Sequence, residues 1–555
     1  MTRVERDYKL FTTITNSPEL SALTSKQNIL FTILKRSERD EEYRRELENF
    51  IVPDGSGMNL IVAIETFFRN FSNVHGVDIT LGLSELNNLD HPDGLYFNIE
   101  TFKKEGENLV PVPPISFRAG EIAYFKATVL NAATDTPEKV PFITYSVFSE
   151  DGGELQGEVE NTSSLEFSIT CTRPGAVKAV LVACDENKEQ IMGSDKSISG
   201  ALFDFEKIST SVDTPEDFEE FWKEQCEKQK KVSPIDTTSD GYVGSIIYDG
   251  NIPETNYYHI KKIEKSDLEK LRLKKITRSP DEELDKFELF DYSLKSLGPC
   301  PATGYVSYPK GKESHTLPIR VYFDGYGAAA PTPFFNDDAI AVHATHHGYP
   351  CDLGYEEFYQ KLNGTGILGR YSRGTDHPNG KFDDKGDCYS LYIILRNFQM
   401  LRFFTNSDLL KDFPEIVRLW NGDVTIIGGS LGGFQSLTLS SVLNFLDEEI
   451  KSAKCEVTVP ALCDYAGQKL GRIRNRFGIR WAENCEYFDA AHHSKFIRIP
   501  TLIGRCALGD EICVASGICA AYNNMSCEKE IRFLQNSSHG YLPKNKDDLW
   551  TIVKN

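Results

Sequence analysis

The stretch Val424-Thr-Ile-Ile-Gly428-Gly-Ser430-Leu-Gly432-Gly433-Phe-Gln435 holds the pattern G-x-S-x-G at Gly428 to Gly432. A lone match of this kind arises by chance in about one chain in five of this length, so its context decides the reading. The β-branched run before it suits a buried strand, and Phe434, Leu437 and Leu443 beyond it can face a sheet from a helix. Strand, sharp turn and helix in that order form the setting in which a serine is presented as a nucleophile at a sheet's carboxyl edge. Side chains at the flanking glycine positions would collide with strand and helix. The competing reading is an ordinary glycine-rich turn.

A serine hydroxyl is a poor nucleophile at neutral pH and needs a base, which in turn needs an orienting acid. On such a turn the chain order is nucleophile, acid, base. Only His492, His493 and His539 follow Ser430. His539 lies in the polar loop Asn536-Ser-Ser-His539-Gly540 after the strand-like Ile531-Arg-Phe-Leu534, where a base can reach the sheet edge. His492 and His493 fall in a helical segment, where they are expected to cap or solvate the helix. Asp510 follows the strand Thr501-Leu-Ile503 and is the candidate acid, with Asp464 and Glu511 as rivals. Two backbone N–H groups must face the developing oxyanion. Leu431 supplies one, and the glycine-rich exit loop Asp324-Gly325-Tyr326-Gly327 offers the other at Tyr326. His343-Ala-Thr-His346-His347 lacks the glutamate of a zinc-binding H-E-x-x-H helix, so no metal is expected there.

Outward from this stretch, the hydrophobic period divides the 555 residues into three parts. Residues 1–95 read as helical, with Leu20, Leu23, Ile29, Leu30, Ile33 and Leu34 at helical spacing after Ser17-Pro18. Across 96–207 the period is two: Leu165, Phe167 and Ile169, like Ile143, Tyr145 and Val147, alternate with polar residues. Turns at Asp151-Gly-Gly153 and Pro174-Gly175 make this a β-sandwich. Over 208–555 strands such as Leu317–Phe323 and Glu456–Val459 alternate with helices, which predicts an α/β domain with a mostly parallel sheet.

The charge balance, 82 Asp+Glu against 61 Lys+Arg and a net −21, leaves no basic stripe for nucleic acid. No apolar run approaches a membrane span, and the charged start Met1-Thr-Arg-Val-Glu-Arg-Asp-Tyr8 has no signal core. With 13 scattered cysteines and no C-x-x-C pair, the expectation is a cytoplasmic protein with reduced thiols.

Several motifs in order carry a family likeness: Gly428-Gly-Ser-Leu-Gly-Gly433, Val459-Pro-Ala-Leu-Cys-Asp464, Tyr487-Phe-Asp489, Gly509-Asp510 with Cys513, Ala520-Ala-Tyr-Asn523 and Ser538-His539-Gly540. Together they resemble the acetyl xylan esterase and cephalosporin C deacetylase family, in particular its longer members with an immunoglobulin-like domain before the hydrolase. The resemblance implies an α/β-hydrolase, preceded by an immunoglobulin-like β-sandwich and a helical N-terminal extension. It implies removal of acetyl groups from acetylated saccharides or other small esters, with no metal or organic cofactor. By matching position, Ser430 is the nucleophile, Asp510 the acid, His539 the base and Tyr326 an oxyanion donor. Compact bacterial members form ring-like hexamers, so the likeness extends to a homo-oligomer, against which the two extra domains count. The chain departs from the family at Asp324, where many members have His, at His347-Gly348 in place of Arg-Gly-Gln, and at Val514-Ala515 in place of two prolines. Two rival functions remain: an acyl-CoA thioesterase or acyltransferase, which can also carry an immunoglobulin-like domain, and a non-catalytic scaffold.

Overall fold

The computed structural model describes residues 95–131, 134–191, 197–235, 259–267, 280–298, 301–325, 333–345, 348, 385–386, 389–411, 413–446, 450–470, 472, 484–543 and 550–555. All of them belong to one compact unit, Asp90–Tyr355 with Tyr371–Asn555. The helical extension expected over 1–95 lies outside the described residues, apart from Leu95, which opens the first strand.

That strand, β1 (Leu95–Glu105), joins β2 (Asn108–Pro111), β3 (Ile122–Asn131) and β6 (Ser164–Thr170) in an antiparallel sheet ordered β2-β1-β3-β6. A second antiparallel sheet runs β5 (Glu154–Thr162), β4 (Val140–Ser149), β7 (Gly175–Cys184) and β8 (Ile198–Phe203). The two-residue period of the sequence is the reason they stack. Phe97 and Ile99 of β1, Phe125 and Val129 of β3, and Ile143 and Val147 of β4 all turn inward into one core, with Phe125 stacked on Phe167 at 4.9 Å.

After the sandwich come α1 (Phe218–Lys230), β9 (His259–Lys262), α2 (Pro280–Lys286), β10 (Phe287–Leu294), β11 (Ala302–Pro309), β12 (Leu317–Phe323), β13 (Ile340–Ala344), α3 (Tyr389–Thr405) and α4 (Pro414–Leu419). There follow β14 (Trp420–Gly429), α5 (Leu431–Val442), β15 (Ser452–Thr458), α6 (Ala490–Ser494), β16 (Thr501–Ala507), α7 (Ala515–Asn524), β17 (Lys529–Leu534) and β18 (Trp550–Lys554). Their strands form one sheet in the order β18-β17-β16-β15-β14-β12-β13-β11-β10-β9. From β13 to β17 neighbours run parallel, while β9 to β11 and β18 pair antiparallel at the two sides. β11 and β13 are buried along their whole length, as strands covered on both faces must be.

The winding of this sheet places the site. From β12 the chain moves to β13 on one side, then returns to β14 on the other. Such a reversal opens a crevice at the strands' carboxyl ends. Ser430 stands at the end of β14, and Asp324 with Gly325 at the end of β12.

Candidate active site

Ser430 has φ 54° and ψ −118°, a conformation that costs an L-residue about 1–3 kcal/mol and persists only where surroundings impose it. They do so here. Ser430 N–H donates to Thr458 O at 3.0 Å, and its carbonyl accepts from Ala461 N and Phe434 N at 2.9 and 3.1 Å. The turn leaves no room at its glycines: a Cβ on Gly428 would stand 2.2 Å from Gly432 O, and one on Gly432 2.2 Å from Phe323 O. Beyond the turn, every residue of α5 is buried. Its hydroxyls bond back along the helix, Ser436 to Gly432 O at 2.8 Å and Ser440 to Ser436 O at 2.7 Å, so these serines can lie in the core with their hydroxyls satisfied.

The side chains meet across the loops after β16 and β17. His539 Nε2 is 3.0 Å from Ser430 Oγ, and His539 Nδ1 is 2.8 Å from Asp510 Oδ2. The second Asp510 oxygen accepts from the backbone N–H groups of Ile512 and Cys513 at 2.7 and 2.8 Å, so this buried carboxylate is fully engaged and fixed in direction. The two loops are also tied to each other, since Gly509 N–H donates to Ser537 O at 2.9 Å. The arrangement can carry a proton from a serine hydroxyl to an oriented imidazole. Leu431, immediately after Ser430, opens α5 with its N-terminal end toward the serine. Gly325 also approaches it, since a Cβ there would lie 3.7 Å from Ser430 Cβ. Tyr326 lies outside the described residues.

The other sequence candidates are engaged elsewhere. Asp464 accepts from Ser211 N and Oγ at 2.8 and 2.6 Å and pairs with Arg472 Nε at 3.2 Å, and Glu511 pairs with Lys178 at 2.9 Å. His492 and His493 do not solvate their helix; both are buried. His492 Nδ1 meets Thr214 Oγ1 at 3.0 Å, and His493 meets Ser441 Oγ at 2.5 Å and Tyr487 O at 3.1 Å. Burial pulls their pKa values down to about 4 and about 3. The capping belongs to Asp489, whose carboxylate accepts from Ala491 N. In the stretch His343-Ala-Thr-His346-His347, His346 and His347 lie outside the described residues, and His343 Nε2 meets Asp324 Oδ2 at 2.7 Å.

Two neighbours have no role assigned from the sequence, although Cys513 stands in the motif with Asp510. Arg505 Nη2 donates to His539 O at 2.9 Å and so helps hold the histidine loop. Burial lowers its pKa, opposed by the nearby Asp510 carboxylate. A charged residue inside the otherwise apolar Thr501-Leu-Ile-Gly-Arg-Cys-Ala507 was the available signal. Cys513 is buried beside the same group. Burial, then the Asp510 charge, push its thiol well above the ordinary value, while a hydrogen bond with Ser430 acts the other way. Asp510, Cys513 and His539 bring potential metal-ligating atoms within 4.8 Å of one another, but the Asp510 and His539 atoms are already hydrogen-bonded partners.

Residues 481–554 match the family model described as acetyl xylan esterase (AXE1), a segment that includes Asp510 and His539. Among solved structures, the chain is similar to an acetyl xylan esterase from Paenibacillus sp. R4. Identity is 17%, coverage 62% of this chain and 96% of that one, and TM-score 0.39. It is also similar to acetyl xylan esterase 1 from Thermoanaerobacterium sp. JW/SL YS485, at 19% identity, 62% and 95% coverage and TM-score 0.40. No curated protein matches it. The serine turn after β14 and the acid and histidine loops after β16 and β17 are the arrangement of an α/β-hydrolase. On that sheet the chain carries, over residues 481–554, the pattern of the acetyl xylan esterase family, and it is a carboxylic ester hydrolase.

Proposed function

We propose that the protein removes acetyl groups from acetylated carbohydrates through Ser430, His539 and Asp510. Ser430 Oγ attacks the acetyl carbonyl while His539 Nε2 takes its proton, and Asp510 holds the imidazole through Nδ1. The N–H groups of Leu431 and Tyr326 receive the negative charge that develops on the carbonyl oxygen. As the ester C–O bond breaks, His539 gives the proton to the departing sugar oxygen, leaving an acetyl-enzyme and a free sugar hydroxyl, and water repeats the sequence to release acetate. The continuous Ser430–His539–Asp510 hydrogen-bond chain, at 3.0 and 2.8 Å, is the observation that carries this reading. It also weighs against a non-catalytic scaffold, which has no use for an oriented imidazole against a strained serine.

In the same reading, residues 96–207 are an immunoglobulin-like domain, 208–555 the catalytic domain and 1–95 a helical extension, in a cytoplasmic protein.

Acyl length tests the substrate class. A pocket made for acetyl must overpack to take extra methylenes, at a cost of about 1–3 kcal/mol, or roughly 5- to 150-fold in kcat/KM. A thioesterase pocket gains about 0.8 kcal/mol for each methylene buried. On p-nitrophenyl esters, kcat/KM should therefore fall from acetyl through butyryl to octanoyl. An octanoyl value tenfold above acetyl would sink the deacetylase reading and favour the acyl-CoA rival.

A further inference from the structure

The sandwich touches the large sheet at the two loops that bear Asp510 and His539. On β8, a Cβ added to Gly200 would stand 2.5 Å from Leu508 O and 2.7 Å from Val177 O. A Cβ added to Gly509 would meet Ile198 Cγ2 at 2.7 Å and Ser537 O at 2.9 Å. Strand, acid loop and histidine loop therefore pack backbone against backbone, an approach that only glycine permits.

Polar contacts reinforce this just after Asp510 and on the histidine loop. Lys178 of β7 pairs with Glu511 at 2.9 Å, with the two side chains 12% and 30% exposed. Glu150, buried at the end of β4, accepts from Ser516 Oγ in the first turn of α7 at 2.6 Å and from Ala176 N at 2.9 Å. Burying a carboxylate is costly unless its bonds are made, and here one of them crosses to the hydrolase sheet's own helix. On the histidine loop, Asn536 Nδ2 donates to Asn98 Oδ1 of β1 at 3.4 Å. A domain that only covers apolar surface has no need of such bonds at 511, 516 and 536.

We propose that the β-sandwich positions the Asp510 and His539 loops and is a working part of the hydrolase site. The inference rests on the reading of Ser430, Asp510 and His539 given above. Lys178, Gly200 and Glu150 are positioning residues: they touch no reacting atom, but they set where the acid and base stand. A misplacement of about 1 Å in such a site can cost about a hundredfold in rate.

The test uses the full chain. For Lys178→Met, Gly200→Ala and Lys178→Arg, kcat and KM are measured on p-nitrophenyl acetate, together with the rate at which a fluorophosphonate labels Ser430. Val159→Ala is the comparison, because Val159 packs on the sandwich core from β5, the edge of its sheet opposite β8. Lys178→Met and Gly200→Ala should lower kcat about tenfold or more. KM should stay within twofold, labelling should slow in parallel, and Lys178→Arg should restore most of the rate. Val159→Ala should lower the Tm and leave kcat unchanged. If Gly200→Ala does not fold, Lys178→Met at the partly buried pair decides alone. Values of kcat within twofold of wild type, a loss confined to KM, or an equal loss in Val159→Ala would each overturn the inference. Ser430→Ala separates the two readings. Retained labelling and turnover there would fail the site reading, and the inference with it; a dead Ser430→Ala beside unaltered sandwich variants overturns the inference alone.

Discussion

Ser430 is held at φ 54° with its hydroxyl 3.0 Å from His539, so nucleophile and base form one unit. Removing either removes the function of both. Ser430→Ala, His539→Ala and the double variant should therefore lose similar activity toward an aryl acetate, on the order of 10⁴-fold or more, without additivity. Half of wild-type turnover in His539→Ala would show that another group serves as base. Asp464→Asn is the matched control. Its carboxylate serves Ser211 and Arg472, so kcat should stay near wild type even if some stability is lost. In the sequence Asp464 and Asp510 both follow strands, Asp510 as the candidate acid and Asp464 as its rival. Their partners separate them: Asp510 meets His539, whereas Asp464 is taken up by Ser211 from a distant part of the chain.

At the scale of the element, α6 carries two imidazoles that fold without charge. Their folded pKa values lie at about 4 and about 3, against 6.5 when free. Below pH about 6.5 the unfolded chain takes up protons that the folded one refuses, so this stabilisation is complete above 6.5 and lost as pH falls toward 4. The limiting slope is about 1.4 kcal/mol per pH unit for each histidine. Asp489, at the start of the same helix, works in the opposite direction. Burial, and then the charge of Asp464, raise its carboxyl from 3.8 to about 8, so its contribution declines as pH climbs between those values. A difference measurement isolates the histidine. The stability deficit of His492→Asn relative to wild type, from urea unfolding, should shrink as pH falls from 7 to 4.5. A deficit independent of pH would mean that His492 is not buried neutral.

For the whole molecule, the ten described cysteines are unbridged, and eight of them are buried. Burial raises the thiols at Cys455, to about 12, and at Cys463 and Cys506, and a protonated buried thiol reacts slowly. Iodoacetamide at neutral pH should therefore modify few cysteines in the native protein, and in denaturant without reductant it should reach all 13 of the sequence. A disulfide found by mass spectrometry in the native protein would contradict this.

Local pattern carried a good part of this protein. The β-branched run before Gly428 is a central strand, the residues after Ser430 form a buried helix, and the alternation in 143–147 and 165–169 points side chains into a sandwich core. These features are set by periodicity and turn sterics within a few residues, so the sequence shows them directly. The antiparallel flanks β9 to β11 and β18, the reversal at β12, and the burial of His492 and His493 depend on which elements become neighbours. So does the grip of β8 on Leu508 and Gly509. Gly200 reads as an ordinary strand glycine until a backbone more than three hundred residues away is brought against it, since close packing between distant segments leaves no local period or spacing in the chain.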